Sequence, residues 1–280
     1  MPPESFFLPV GDGQRFCLFH PAQVAPLRGR VLYLHPFAQE MNKARRMAAL
    51  QSRALARAGY AVLQMDLLGC GDSSGDFGDA TWERWVGDVL QGVAWLHQRC
   101  GGAGQGEVPL WLWGLRAGCL LAVAAAPHLE PACNFLFWQP PASGKPMLQQ
   151  FLRLKVAGDM LGGNAKASTE LLRHTLARGE PVEIAGYLLD AELARGLDEA
   201  GLVPPLAVAT ARRLVWLEVS TRPQTSVGVA SAQVLAQWQH MGWQVDSEVL
   251  VGPAFWQTTE IEDAPALVDA TVAALAQGDA

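Results

Sequence analysis

Residues Gly114-Leu115-Arg116-Ala117-Gly118 sit inside the stretch VPLWLWGLRAGCLLAVAAA (108–126). An apolar strand, a tight turn flanked by glycines and the first turns of an apolar helix make the frame G-x-S-x-G, which with serine at its centre presents a nucleophile. Here the central residue is Arg116, and a guanidinium has no nucleophilic atom at any accessible pH. Its chemistry is charge recognition. At a helix start it adds to the positive potential of unpaired N–H groups, an unfavourable arrangement by about 0.3–1 kcal/mol when exposed and by more when buried. Something negative should compensate. One option is a protein carboxylate, Glu40 or Glu218, which would leave the turn filled and inert. The other is an anionic ligand held by the guanidinium fork and the backbone N–H groups of Phe37 and Ala117, because planar bidentate contact with carboxylate or phosphate suits arginine. Both can hold at once, with Glu40 orienting Arg116 and one face of the fork left open.

The segment HPFAQEMNKARR adds further candidates. His35 ends a strand, where it either braces the loop or polarises a ligand or water. Glu40 and Asn42 are expected in the loop ahead of the first helix, and Glu40 is either an anion favoured before a helix N-terminus or a member of the site. Cys119 falls on the core side of the elbow helix, Ser73 in a tight Asp/Ser/Gly turn and Asp66 at a strand exit; all three read mainly as structural.

The elements that must position these residues alternate along the 280-residue chain. RVLYLHPF (30–37), AVLQMDLLGCGDSSG (61–75), the strand before Gly114, NFLFWQPP (134–141), RRLVWLEVS (212–220) and WQVDSEVLVG (243–252) read as strands with their following turns. Between them, 44–60, 81–98, 231–242 and 264–277 have helical spacing. Such alternation predicts a mostly parallel sheet flanked by helices. Residues 143–203 show helical spacing and polar turns without a clear strand, and are expected to form an inserted helical cap on a core of 1–142 and 204–280. Phe151, Leu154 and Tyr187 presented to the pocket from that cap would favour a substrate with an apolar tail and an anionic or carbonyl head, such as an acyl ester or thioester.

Composition narrows the partners. Half the residues are hydrophobic and 17% are charged, below the usual 25% or so, which supplies a large core. A formal net charge of −6, without a basic cluster, argues against nucleic acid. Five cysteines with no C-x-x-C spacing suggest neither disulfides nor a metal site. No apolar run approaches the roughly 20 residues of a membrane span, so a cytoplasmic protein without membrane insertion is expected. Nothing calls for a cofactor, and the expected partner is a small-molecule substrate or an anionic ligand.

The ordered set His35-Pro36-Phe37, DLLGCGDSSGDFGDATWERW and WGLRAG resembles the α/β-hydrolase superfamily over almost the whole chain. HPFAQEMNKARRM and the other two strings are similar to the exosortase A system-associated hydrolases (type 2 group), a bacterial group encoded beside exopolysaccharide and protein-sorting genes. The resemblance implies Phe37 and Ala117 as oxyanion-hole donors, a nucleophile at 116, an acid after a later strand and a histidine after the last one. The chain departs from that pattern at every catalytic position. None of His20, His35, His97, His128, His174 and His240 follows the last strand, where VGPAFWQTTE places Phe255 and Trp256. The acid loops offer Ser220-Thr221-Arg222-Pro223 and Gln139, with Glu218 inside its strand. The ordinary Ser-His-Asp mechanism is thereby excluded. Two functions stand: action on an acyl ester or thioester by a non-standard site of Arg116, His35 and Glu40, or an inactive homologue that binds an anionic metabolite or a partner protein of the exosortase/exopolysaccharide pathway.

Overall fold

The computed structural model describes residues 2–11, 13–101, 108–130, 132–161, 168–206, 212–223 and 226–277. An N-terminal hairpin of β1 (Glu4–Val10) and β2 (Gly13–His20) is followed by β3 (Gly29–Leu34), α1 (Gln39–Arg57), β4 (Tyr60–Met65), α2 (Trp82–Cys100), β5 (Leu110–Leu115), α3 (Ala117–Ala125) and β6 (Asn134–Trp138). The chain then leaves the sheet for α4 (Gly144–Leu161), α5 (Thr169–Ala177), β7 (Val182–Ile184), β8 (Tyr187–Leu189) and α6 (Ala191–Glu199). It returns with β9 (Arg213–Ser220), α7 (Val229–His240), β10 (Gln244–Val251) and α8 (Pro265–Ala276).

One sheet holds eight strands in the order β1-β2-β4-β3-β5-β6-β9-β10. β4 through β10 run parallel, and the hairpin adds antiparallel at the β4 side. Successive residues of a strand face opposite sides, so a sheet covered on both faces needs continuous apolar runs. In β3, Val31 and Tyr33 join the cluster beneath α1 and α8, with Met47, Leu55 and Leu267, while Leu32 and Leu34 join the one beneath α2, α3 and α7, with Val89, Leu120 and Trp238. The strand order reverses around β3: β4 lies on one side of it and β5 on the other. The crevice outside the carboxyl ends of β3 and β5 is therefore the place where this topology opens a site.

Three local features differ from the sequence expectation. The β1–β2 hairpin was not foreseen, because Pro9 and half-buried alternation mark β1 as an edge strand with a weak pattern. Residues 143–203 include a hairpin, β7–β8, turning through Ala185 (φ 49°) and Gly186 (φ 83°); two strands of three residues carry too little alternation to be read. Helix α1 starts at Gln39, five residues before 44, so Glu40 and Asn42 lie on the helix and not in a loop. Its N-cap is Ala38, with φ 49° and no side-chain cap, so no Ser, Thr, Asp or Asn announces the start. The excursion between β6 and β9 is tied at its base, where Gly144 N–H donates to Ala200 O at 2.8 Å. It sits on α2 through Gly196, where a Cβ would fall 2.1 Å from Cβ of Trp82.

Candidate functional site

Arg116 caps the N-terminus of α3 with φ 54° and ψ −116°, a backbone conformation that side-chain-bearing residues rarely adopt. Its N–H donates to Trp138 O at the end of β6 and its carbonyl accepts from Cys119 N–H, each at 3.0 Å, which locks the turn between β5 and α3. The flanking glycines make the turn possible: a Cβ on Gly114 would lie 2.5 Å from Cys119 N, and one on Gly118 2.1 Å from Leu34 O. The strained turn lifts the side chain of residue 116 above the sheet's carboxyl edge.

Three segments remote in sequence converge on that side chain. Arg116 Nη2 lies 3.3 Å from Glu40 Oε1 at the start of α1 and 3.3 Å from Gln150 Oε1 on α4. Its Cζ stands 5.7 Å from the centroid of the Trp256 ring, beyond β10, a cation–π contact. Glu40 is 9% exposed. Burial pushes its carboxyl above the ordinary carboxylate range, while the charge and hydrogen bond of Arg116, and then Lys43, pull it back in part. Lys43 Nζ in turn donates to Gln257 O at 3.3 Å, tying α1 to the loop after β10. Among the described residues, Glu40 Oε2 and Arg116 Nε are buried without a hydrogen-bond partner.

Beside this cluster a cleft of about 180 Å³ opens between α1 and α4. Phe37, Gln39, Glu40, Lys43, Gln150 and Trp256 line it with Phe151 and Leu154 of the excursion; Tyr187 does not, and instead packs against Phe77. Phe37 is buried edge-on to Phe77, Trp85 and Phe151. Ala117 is the first residue of α3, a position whose N–H has no intrahelical acceptor.

His35 does not join the cleft. Its Nε2 accepts from Leu67 N–H at 3.3 Å, which leaves the proton on Nδ1 to be donated to Pro36 O at 2.9 Å. Both nitrogens thus serve backbone groups in a neutral ring whose basicity burial lowers further. The geometry is that of a brace between β3 and the turn after β4. Asp66 and Ser73 hold the same turn: Asp66 Oδ2 accepts from Arg45 Nη2 at 2.8 Å and from Asp72 N–H at 3.2 Å, and Ser73 Oγ donates to Asp66 O. Cys119 is fully buried and its thiol is pushed well up by burial. Sequence reasoning missed Lys43 beside Glu40 and Gln150 beside Arg116; one long polar side chain among many on a helix carries no signal of what it will meet.

No family model matches the chain. The thermostable monoacylglycerol lipase of Bacillus sp. (strain H-257) is 31% identical over 106 residues, so the alignment spans 38% of this chain and 38% of that lipase. A soluble variant of monoglyceride lipase from Saccharomyces cerevisiae superposes with a TM-score of 0.67 at 14% identity, covering 99% of this chain and 95% of that one. A thermostable carboxyl esterase from Bacillus coagulans gives a TM-score of 0.64 at 12% identity over 99% of both chains. The chain has the α/β-hydrolase fold.

In the α/β-hydrolase fold the turn between this strand and this helix is the elbow, and the backbone here follows that path. The nucleophile position holds Arg116, and the ring stacked on it, Trp256, follows the last strand, where that fold keeps its histidine. The acid loops are occupied structurally. Gln139 Oε1 accepts from Val219 N–H at 2.8 Å, and Glu218 Oε1 accepts from Trp216 Nε1 at 2.8 Å. Of the two carboxylates that could compensate Arg116, Glu40 is the one in contact. Among the described residues no group of side chains could hold a metal ion, and no helix is long and apolar enough to cross a membrane.

Proposed function

We propose that this α/β-hydrolase-fold chain binds a small molecule in the cleft beside Arg116 without hydrolysing it, and that it serves the bacterial exosortase A/exopolysaccharide system, to whose hydrolases three of its sequence strings are similar. One observation carries the first part: the nucleophile position holds a guanidinium clamped between Glu40 and the Trp256 ring. An ordinary esterase needs a nucleophile and a proton acceptor within hydrogen-bond reach of each other. Here those two places are filled by a cation and an indole. The lipase and esterase names of the similar proteins support a small molecule with an acyl or other apolar part as the occupant, and Phe151 and Leu154 supply an apolar wall for it. The competing chemistry, acyl ester or thioester cleavage by Arg116, His35 and Glu40, would require His35 to free a nitrogen from its backbone partner.

The test is a panel of acyl esters and acyl thioesters with a serine-directed covalent probe. Wild type is expected to show no steady turnover and no labelling. Arg116→Ser is expected to stay equally silent, because a new hydroxyl still lacks a base. Steady turnover by the wild type that Arg116→Ala abolishes would overturn this reading in favour of unusual catalysis.

A further inference from the structure

The surface around α7 differs in kind from the rest of the molecule. Its sequence, VASAQVLAQWQH, contains no Asp, Glu, Lys or Arg, whereas α1, α2, α4, α5 and α6 each carry at least two and α8 carries Asp269. Leu235 and Trp238 are the buried residues of α7, so most of an uncharged helix faces outward. The outward face of a surface helix ordinarily carries charged and polar side chains.

The segment after α6 is pinned against this helix. Trp238 Nε1 donates to Leu202 O at 2.9 Å and Trp243 Nε1 to Pro205 O at 3.2 Å, and both rings are buried. Between the pinned segment and α7 lies a groove of about 450 Å³ lined by Val203, Pro204, Ala236, Gln237, His240 and Met241. Apolar side chains stand out around it: Leu206 is 83% exposed, Val229 78% and Val203 72%, which with Ile261 are the most exposed large apolar residues among those described. Single exposed apolar residues need no explanation, but a concentration of them beside an apolar groove marks a contact surface.

The helical repeat identifies the contact. Val229, Gln233, Gln237 and His240 recur at intervals of three and four, so they share one stripe of α7, with Ala236 beside it. A protruding valine therefore sits at one end of the stripe, the groove at the other, and Gln233 midway. Two α7 helices laid antiparallel about a two-fold axis at Gln233 place Val229 of each on Gln237 and Ala236 of the other. A surface whose projection and groove exchange under a two-fold axis is complementary to itself. Charge points to the same occupant. Copies of a chain with net charge −6 repel one another over most of their surface, and α7 brings no charge to that encounter. Nor does it offer a counter-charge to a strongly charged partner.

We infer that α7 and its groove form the interface between two copies of this chain, an isologous dimer with Val229 of each copy seated in the groove of the other and Val203 and Leu206 at the margin. The groove shares no lining residue with the cleft beside Arg116, so the dimer and the binding cleft stand or fall separately.

Sedimentation velocity over a concentration series tests it. Wild type is expected to shift from monomer towards twice the monomer mass. Val229→Asp and Ala236→Arg, each at an exposed position, are expected to weaken association by at least ~10-fold with the thermal transition retained. The double variant sets opposite charges against each other in both halves of the interface and is expected to regain most of the association. Met160→Asp changes a side chain 66% exposed on α4 and is expected to leave it unchanged. Under mild oxidation Gln233→Cys, at the axis, is expected to give a disulfide-linked dimer. Wild type that stays monomeric throughout overturns the inference, as does a dimer that both single variants leave intact or that Met160→Asp dissociates.

Discussion

Arg116→Ala is expected to destabilise the protein by about 3 kcal/mol at pH 8, and by about 1 kcal/mol or less near pH 4, in urea unfolding against wild type. The larger loss comes from Glu40. It is 9% exposed, and Arg116 supplies the charge and the hydrogen bond that hold its carboxyl down against the effect of burial. Removing the guanidinium leaves a buried, uncompensated carboxylate and raises its folded-state pKa further above the unfolded value. The sign follows from proton binding. Below the ordinary carboxylate pKa both states carry the proton, so ionisation adds no penalty. As pH rises past it, the unfolded chain ionises freely while the folded one holds its proton or bears the charge unpaired, and the deficit grows until pH passes the raised folded value. What remains near pH 4 is chiefly the lost contact with Trp256. An equal loss at both pH values would show that Glu40 is not the group Arg116 compensates. A companion double variant, Glu40→Leu with Arg116→Met, should recover most of the pH 8 loss, since a buried ion pair exchanged for apolar groups of similar volume is often tolerated.

Gly118→Ala is expected to cost more than about 3 kcal/mol, beyond the ordinary range for an overpacked methyl, and to leave little folded protein at 37 °C. The added Cβ would stand 2.1 Å from Leu34 O and 3.0 Å from His35 O. Both are backbone atoms at the end of β3, and they cannot rotate away as a side chain could. Relief requires α3 to lift off the sheet, which would also undo the turn that carries Arg116. Gly87, in α2, is the control: nothing lies within 4 Å of its Cβ position. Gly87→Ala is therefore expected to stabilise by roughly 0.5–1 kcal/mol through helix propensity. Thermal unfolding of the two variants side by side separates the cases. A Gly118→Ala protein as stable as wild type would mean that the elbow does not press α3 against β3.

The contrast between these glycines and Arg116 bears on what was legible beforehand. The glycines of Gly114-Leu115-Arg116-Ala117-Gly118 are spaced as a turn of this kind requires, and the runs around them have the length and apolar continuity of buried parallel strands. The sheet and the elbow could be read from those local patterns. The β1–β2 and β7–β8 hairpins could not, because edge and three-residue strands carry too few alternations. The start of α1 at Gln39 was hidden for a different reason. Ala38 caps that helix by backbone conformation alone, so the residue types give no boundary, and Glu40 was expected in a loop when it sits in the helix's first turn.

Residue identity by itself determined what residues 116, 255 and 256 cannot do. Arginine has no attacking atom, and Phe255 and Trp256 take no proton, wherever the chain puts them. Only the tertiary structure decided what surrounds them: that Glu40 and not Glu218 faces Arg116, that Gln150 and Trp256 complete its surroundings, and that His35 spends both nitrogens on backbone groups. The physical reason is that residues 40, 116, 150 and 256 belong to four elements with no local pattern in common. The packing of those elements at the reversal of strand order around β3 brings them within reach.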